Sequence, residues 1–402
     1  MSRILARSVS RTEFIVVMAL MMSFVALSTD IMLPALGEID RDLATRHPND
    51  RQLVVVTLFF GLVVGQLFWG PLSDSFGRKP AILLGSLVFI GGCLISAVSH
   101  SMEIMLLGRF LQGVGAASAR VVTVALVRDR FSGNEMARVL SLIMSVFILI
   151  PMLAPAMGQA ILWVSTWRTI FVAILIHCVA VQIWFSLRQP ETLAPRNRLP
   201  FRLDSLRKAF LEVCANRATA FYTLSGALMF GIFVAYLSSA QQIFQDLYGT
   251  GDRFALYFAV IAASIGLAMS TNSAMVLRVG MHRLSAAALL AMVAVSMAFL
   301  ALTVQYGGKP PFAVTLSLLF LEFFPIGILF VNMNALAMEP HGRIAGMAST
   351  VINMLTTLGS LVIGTLIARA FNFTLYPLAA GSLILSILSF GTYRLAVKRP
   401  VR

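Results

Sequence analysis

Charge is what this sequence has least of. Only 12% of its 402 residues are Asp, Glu, Lys or Arg, and 58% are hydrophobic. A soluble chain carries about a quarter charged residues. Too few charges remain to cover a surface facing water, which excludes a soluble enzyme and a disordered protein. Cysteine is scarce too. Cys93 and Cys178 lie in apolar runs and Cys214 in a polar connector, which makes neither a disulfide framework nor a metal cluster. The 5 histidines, His47, His100, His177, His282 and His341, show no metal-ligand spacing, so no metal is expected; His177, inside an apolar run, reads as a packing residue. A G-x-x-x-x-G-K-[ST] phosphate loop is missing, which argues against a self-contained ATP-driven pump. Acids are fewer than bases, 17 against 31, leaving a net charge of +14. On a soluble protein that excess points to nucleic acid. In a membrane protein it gathers in the loops of one face, so the expected surroundings are the lipid bilayer, with no nucleic-acid partner.

Long apolar runs are what the chain has in quantity. A spanning helix needs about 20 apolar residues, and the runs that qualify are 14–36, 51–70, 81–99, 103–126, 138–162, 169–187, 218–245, 254–277, 284–305, 311–337, 345–369 and 373–393. The expected fold class is an all-α membrane protein with twelve transmembrane helices, spans 1 to 12. Span 1 follows Arg3, Arg7 and Arg11 and so imitates a secretory leader. It is too long for one, carries Asp30 and lacks an A-x-A site. The polar segment 188–217, rich in basic residues and containing Pro190, Pro195 and Pro200, divides the spans six and six. The expected organisation is an N-terminal bundle 1–187, a linker 188–217 and a C-terminal bundle 218–402. The linker reads as solvated, with an interfacial helix near 203–213 built on Leu203, Leu206, Phe210 and Leu211.

Between successive spans, one side receives only Arg41, Arg46, Arg51, Arg168, Arg253, Lys309 and Arg369. The other side receives nearly all remaining bases, among them Arg78, Lys79, Arg128, Arg130 and the linker cluster. By the positive-inside rule both termini are expected in the cytoplasm.

Several short patterns stand out. The turn after span 2 reads Gly70-x-x-x-Asp74-x-x-Gly77-Arg78-Lys79. Gly77 permits a tight reversal. Asp74 is expected to meet a helix N-terminus or an arginine, and Arg78 and Lys79 to hold the turn among lipid headgroups. The turn after span 8, Arg278-Val-Gly280-Met-His-Arg283, is a weak echo of it, as in a duplicated six-helix unit. Span 4 holds Arg109-x-x-Gln112-Gly113-x-Gly115-Ala116-Ala117 and span 5 holds Pro151-x-x-x-Pro155-x-x-Gly158. Span 6 begins Trp167-Arg168-x-x-Phe171, and span 1 ends Thr29-Asp30-Ile-Met-Leu-Pro34-Ala35-Leu36. On these motifs the chain resembles the major facilitator superfamily. The span 5 pattern resembles that of its drug:proton antiporters, and the Asp30 segment is similar to the acidic motif of the Bcr/CflA multidrug exporters.

The resemblance implies two six-helix bundles related by a pseudo-twofold axis, with a substrate site between them and alternating access. It implies a monomer in a bacterial inner membrane, driven by a proton gradient with no cofactor, exporting small amphipathic or drug-like molecules and so conferring antibiotic resistance. Each proline of Pro151 and Pro155 removes a helical hydrogen bond; with Gly158 the resemblance makes this helix a bendable seal.

Four ionisable residues fall inside the spans: Asp30, Arg109, Arg120 and Glu322. A charge at that depth costs about 2.5–3.5 kcal/mol even on the lenient scale and marks function by default. Asp30 lies roughly 25 Å above one edge of the membrane and Arg109 roughly 9 Å below the other, similar depths. They are expected to pair if spans 1 and 4 are neighbours, as the family fold implies. Asp30 is then the proton carrier, Arg109 its modulator, and Glu322 a second protonation candidate. Arg120 shares a face with Arg109, and small residues lie between them; it either lines a water-filled cytoplasmic cavity, as a cavity candidate, or snorkels to the interface. Tyr236, Gln241, Asn272, Asn332 and Asn353 are cavity candidates too, though each equally fits an interhelical hydrogen bond. Methionines and phenylalanines, 21 and 29 in number, suit an adaptable apolar cavity.

A proton-coupled uptake carrier is the alternative, and Arg109 with Arg120 suits an anionic metabolite. A polytopic membrane enzyme would need a catalytic cluster at one membrane face, and none is visible.

Overall fold

The structure, a computed structural model, describes residues 10–45, 47–198 and 203–397. Outside them lie Arg3, Arg7, Arg46, Pro200, Arg202, Lys398, Arg399 and Arg402, and the side chains of Leu203, Leu206 and Arg343. Among the described residues all regular structure is helical, and 12 segments are long and apolar enough to cross a membrane.

The first span, Arg11–Asp42, is built of α1 (Arg11–Asp30), a 3-10 turn at Leu33–Ala35 and α2 (Leu36–Asp42). It is followed by α3 (Leu53–Phe76), α4 (Arg78–Ala97), α5 (Met102–Arg130), α6 (Gly133–Val164) and α7 (Trp167–Arg188). Next come α8 (Leu203–Ala215), α9 (Arg217–Gln241) with a π-helical end at Gln242–Leu247, α10 (Phe254–Val279) and α11 (Met281–Gln305). The chain closes with α12 (Phe312–Met338), α13 (Ala345–Arg369) and α14 (Tyr376–Val397).

Local chemistry sets several starts. Ser10 and Glu13 have capping-box spacing, and the Ser10 hydroxyl accepts the Glu13 N–H at 3.1 Å. Ser101 accepts from Ile104 N–H at 3.4 Å ahead of α5, and the Asn216 carbonyl accepts from Thr219 N–H at 3.1 Å ahead of α9.

The chain forms two compact units, Met1–Arg202 and Leu203–Arg402. In the first, α5 packs against α1, α3 and α4, and α1 also packs against α6 and α7. Every residue of α1 from Met21 to Asp30 is buried, as expected of a helix that is apolar all round. Peripheral helices instead show an apolar outer face, such as Leu84, Leu87 and Leu94 of α4 and Ile176, Ile183 and Leu187 of α7. Such a face suits hydrocarbon, where the backbone is already satisfied within the helix. In the second unit, α9 packs on α12, α13 and α14, and α12 packs on α10 and α11. Helix α8 leans on α13, burying Ala209 and Val213.

Two differences from the sequence reading bear on the site. Span 2 was expected to end at residue 70, but α3 runs on to Phe76 with Pro71 inside it. A proline removes one backbone bond without ending a helix whose neighbours hold it. The reversal is confined to Gly77, whose φ of +113° favours glycine. Gly280, between α10 and α11, adopts the same backbone region, φ 86° and ψ 145° against 113° and 158°. Span 1 was read as one helix over 14–36; it breaks directly after Asp30, at Ile31 and Met32, ahead of Pro34.

Candidate functional site

The α3–α4 turn is a closed network. Arg78 is buried and donates to Asp74, to Ser73 Oγ at 2.8 Å and to Asp129 Oδ2 at 2.9 Å. Lys79 Nζ donates to the carbonyls of Ser186 at 2.7 Å and Gln189 at 3.0 Å. The two bases are therefore internal clamps, not headgroup anchors as expected, because acceptors on α3, α5 and the end of α7 surround them. Asp74 meets an arginine, as one of its two expected options. The carboxylate at the helix N-terminus is Glu191, which accepts the backbone N–H groups of Arg78 at 3.0 Å and Lys79 at 2.9 Å. It thereby satisfies two orphan donors of α4 and complements the positive end of the helix. A Cβ on Gly77 would lie 2.6 Å from the Glu191 carboxylate, so a side chain here would push on the capping group as well as strain φ.

Arg109 is fully buried. Its Nε donates to Val54 O of α3 at 2.9 Å, Nη1 to Gln112 Oε1 at 2.6 Å and Nη2 to Ser28 O of α1 at 2.9 Å. Gln112 passes the chain on, donating to Ser96 Oγ of α4 at 3.2 Å. The guanidinium also lies 5.9 Å from the Phe171 ring of α7. One side chain thus ties together the helices around α5. Gly113, one turn on, lets α3 close in, since a Cβ there would overlap the Leu58 carbonyl oxygen.

The expected Asp30–Arg109 pair does not form. Among the described residues Asp30, 5% exposed, makes no hydrogen bond or ion pair. Arg109 reaches α1 at the carbonyl of Ser28, two residues short of Asp30 and about 200° away around the helix. Equal depth put the two residues at one level; the directions in which they point keep them apart. Asp30 lies instead at the break in α1, where Gly158 of α6 presses on the next residue. A Cβ on Gly158 would overlap the Ile31 carbonyl oxygen and come 3.3 Å from the Pro34 ring. Pro151 and Pro155 are both accommodated within the continuous helix α6, and Pro155, like Gly158, is on its buried side.

In the second unit Glu322 is buried and accepts from Ser296 Oγ of α11 at 2.6 Å; its other oxygen has no partner among the described residues. The cavity candidates are scattered. Tyr236 is packed among Phe323, Phe258 and Phe244, the nearest ring centre at 4.7 Å. Gln241 donates to Gln245 Oε1 at 3.0 Å and Asp246 Oδ1 at 3.1 Å, beside the π-helical segment. Asn353 accepts from Asn334 of α12 at 2.7 Å and donates to Ser349 at 3.1 Å, so it links α12 to α13. Asn332 Nδ2 and Asn272 Oδ1 are buried without partners among the described residues. Arg120 is half-buried in α5.

The superfamily model for the Major Facilitator Superfamily matches residues 12–364. The chain belongs to the major facilitator superfamily. Its relatives include an uncharacterized MFS-type transporter of Bacillus subtilis, YdgK, 33% identical over 84% of each chain. Another is a bicyclomycin resistance protein homolog of Haemophilus influenzae, 30% identical over 94% of this chain and 95% of that one. The fold matches a D-xylose-proton symporter at a TM-score of 0.73 and 13% identity, over 96% of this chain and 99% of the other. A superfamily member is a membrane transporter, not an enzyme.

Within this superfamily member, sequence reasoning overlooked four carboxylates: Glu191, Asp129, Glu13 and Asp42. Glu191 follows Pro190 directly after span 6, and Asp129 sits between Arg128 and Arg130, where an acid among bases was the available signal. Glu13 accepts from Arg188 at 2.7 and 2.9 Å and from Trp184 at 3.2 Å, closing the first span onto the sixth. The Trp167-Arg168 pair does the same at the opposite ends of these helices. Trp167 Nε1 donates to Asp42 at 2.8 Å, and Arg168 donates to Asp42 at 3.2 Å and to Ser99 O at 3.1 Å.

Proposed function

We propose that this transporter exports small amphipathic, drug-like molecules in exchange for protons, by alternating access of its two six-helix halves. It would act in a bacterial inner membrane with both termini in the cytoplasm, and so confer resistance. One observation carries the reading: Asp30 is a buried carboxyl group without a counter-charge, at a helix break. A carboxyl group so placed can hand a proton from one side of the membrane to the other if the chain opens it to water on each side in turn. The break after Asp30 rests on Gly158 through a backbone contact with no side chain between, a place where α1 and α6 can shift and change that access. Arg109, held by three hydrogen bonds, serves as the fastener of this arrangement; Glu322, half-satisfied, is the second protonation candidate. The bicyclomycin resistance homolog supports the substrate class and outward direction.

The test is flux in inverted membrane vesicles, whose outer face is the cytoplasmic one. With an acidic lumen, a fluorescent drug should accumulate inside while protons leave. Accumulation that ignores the gradient, or drug and protons moving the same way, would sink the antiport reading.

A further inference from the structure

Arg120 lies eleven residues after Arg109 in α5, three turns on and about 20° around the helix. Ala116, Thr123 and Val127 flank it on the same face and are all buried, so this face is turned into protein. Arg120 is itself partly accessible, as is Val124 beside it. The two arginines differ in one respect. Arg109 has three acceptors and a ring; Arg120, among the described residues, has no hydrogen bond, ion pair or ring contact. The hydroxyl of Thr123, one turn further on, is also buried without a partner among the described residues. Arg120 stands six residues, roughly 9 Å, inside the end of span 4 at residue 126, at a depth where a charge is costly unless it is paired. The proton site is not its partner, since Arg109, at the level of Ser28, is already roughly 16 Å away along the helix.

We propose that Arg120, with Thr123, receives the anionic group of the transported molecule: a carboxylate, sulfonate or phosphate. A guanidinium presents a planar fork that matches such groups with two parallel hydrogen bonds, and the hydroxyl adds a third donor from the same face. A neutral amphiphile would leave the charge uncompensated. The proposal names a substrate class within the transport function above, while its test needs neither a gradient nor a direction.

The whole protein is placed in phosphatidylcholine nanodiscs, and binding of the anionic dye fluorescein and the cationic dye rhodamine 6G is followed by fluorescence anisotropy. Arg120→Gln should weaken fluorescein more than tenfold, Arg120→Lys much less and Thr123→Val two- to fivefold, with rhodamine 6G within twofold of wild type. In the unmodified protein, benzenesulfonate should displace fluorescein and benzyl alcohol should not, a comparison that needs no variant to fold. The proposal is overturned if the unmodified protein does not bind fluorescein, if benzyl alcohol displaces it equally, or if Arg120→Gln affects both dyes alike or neither. It is also overturned if phosphatidylglycerol nanodiscs abolish fluorescein binding, which would assign Arg120 to a lipid headgroup. Failure here leaves proton exchange to its own vesicle test.

Discussion

Arg109 and Asp30 sit at one depth and do different work, because a helix fixes direction as strictly as height. Counting residues from the span ends put both at one level, and the low charge content of the chain made them conspicuous. What the count left out was azimuth: Arg109 faces the carbonyls of Ser28 and Val54, and Asp30 faces neither its charge nor any other. Arg109 is therefore expected to matter for stability first. Removing it strands buried acceptors, each worth about 1–3 kcal/mol. Arg109→Gln and Arg109→Lys should both lower the thermal unfolding midpoint in detergent by several degrees, since an ammonium cannot reach acceptors on three helices from one point. If Arg109→Lys unfolds with the wild type, the fastening role is wrong.

At the scale of elements, the contact between α6 and the α1 break is the feature most exposed to test. Gly158→Ala forces a methyl group onto the Ile31 carbonyl oxygen and should reduce transport at least tenfold while insertion and helix content persist. Wild-type transport by Gly158→Ala would show that the close approach is incidental. The α3–α4 turn offers a second case. Glu191→Ala should destabilise the protein by about 0.5–2 kcal/mol, the usual effect of losing a helix cap, and Glu191→Gln by less, measured by denaturant unfolding of the purified protein. Equal stability in Glu191→Ala would remove the capping role. Gly77 and Arg78 were legible as a turn from spacing alone. Glu191 was not, because it lies 113 residues from Arg78 in sequence and only the packing of α7 beside α4 brings it there. The extension of α3 through Pro71 was hidden for a related reason: Gly70-Pro71 carries a turn signal that neighbouring helices override.

For the whole molecule, the spans were legible because hydrocarbon imposes a length and a composition that few other environments do. The break in span 1 was not, since Ile31 and Met32 are as apolar as the helix they interrupt. The proposed sidedness of the twelve-span chain rests on where its bases fall, and native thiols can check it. Cys214 on α8 is exposed, whereas Cys93 and Cys178 are buried. A membrane-impermeant maleimide should therefore label Cys214 in inverted vesicles and not in intact cells. Partial desolvation raises the Cys214 thiol above its ordinary value. Because the thiolate is the reactive form, labelling should quicken as pH rises above neutrality. Labelling from intact cells would invert the proposed topology. The account as a whole turns on Asp30, and the most direct measurement compares Asp30→Asn with wild type in sealed proteoliposomes under an imposed proton gradient. The account predicts that Asp30→Asn inserts normally and lets substrate equilibrate down its own gradient, yet no longer accumulates it against one. Undiminished proton-driven accumulation by Asp30→Asn would contradict it.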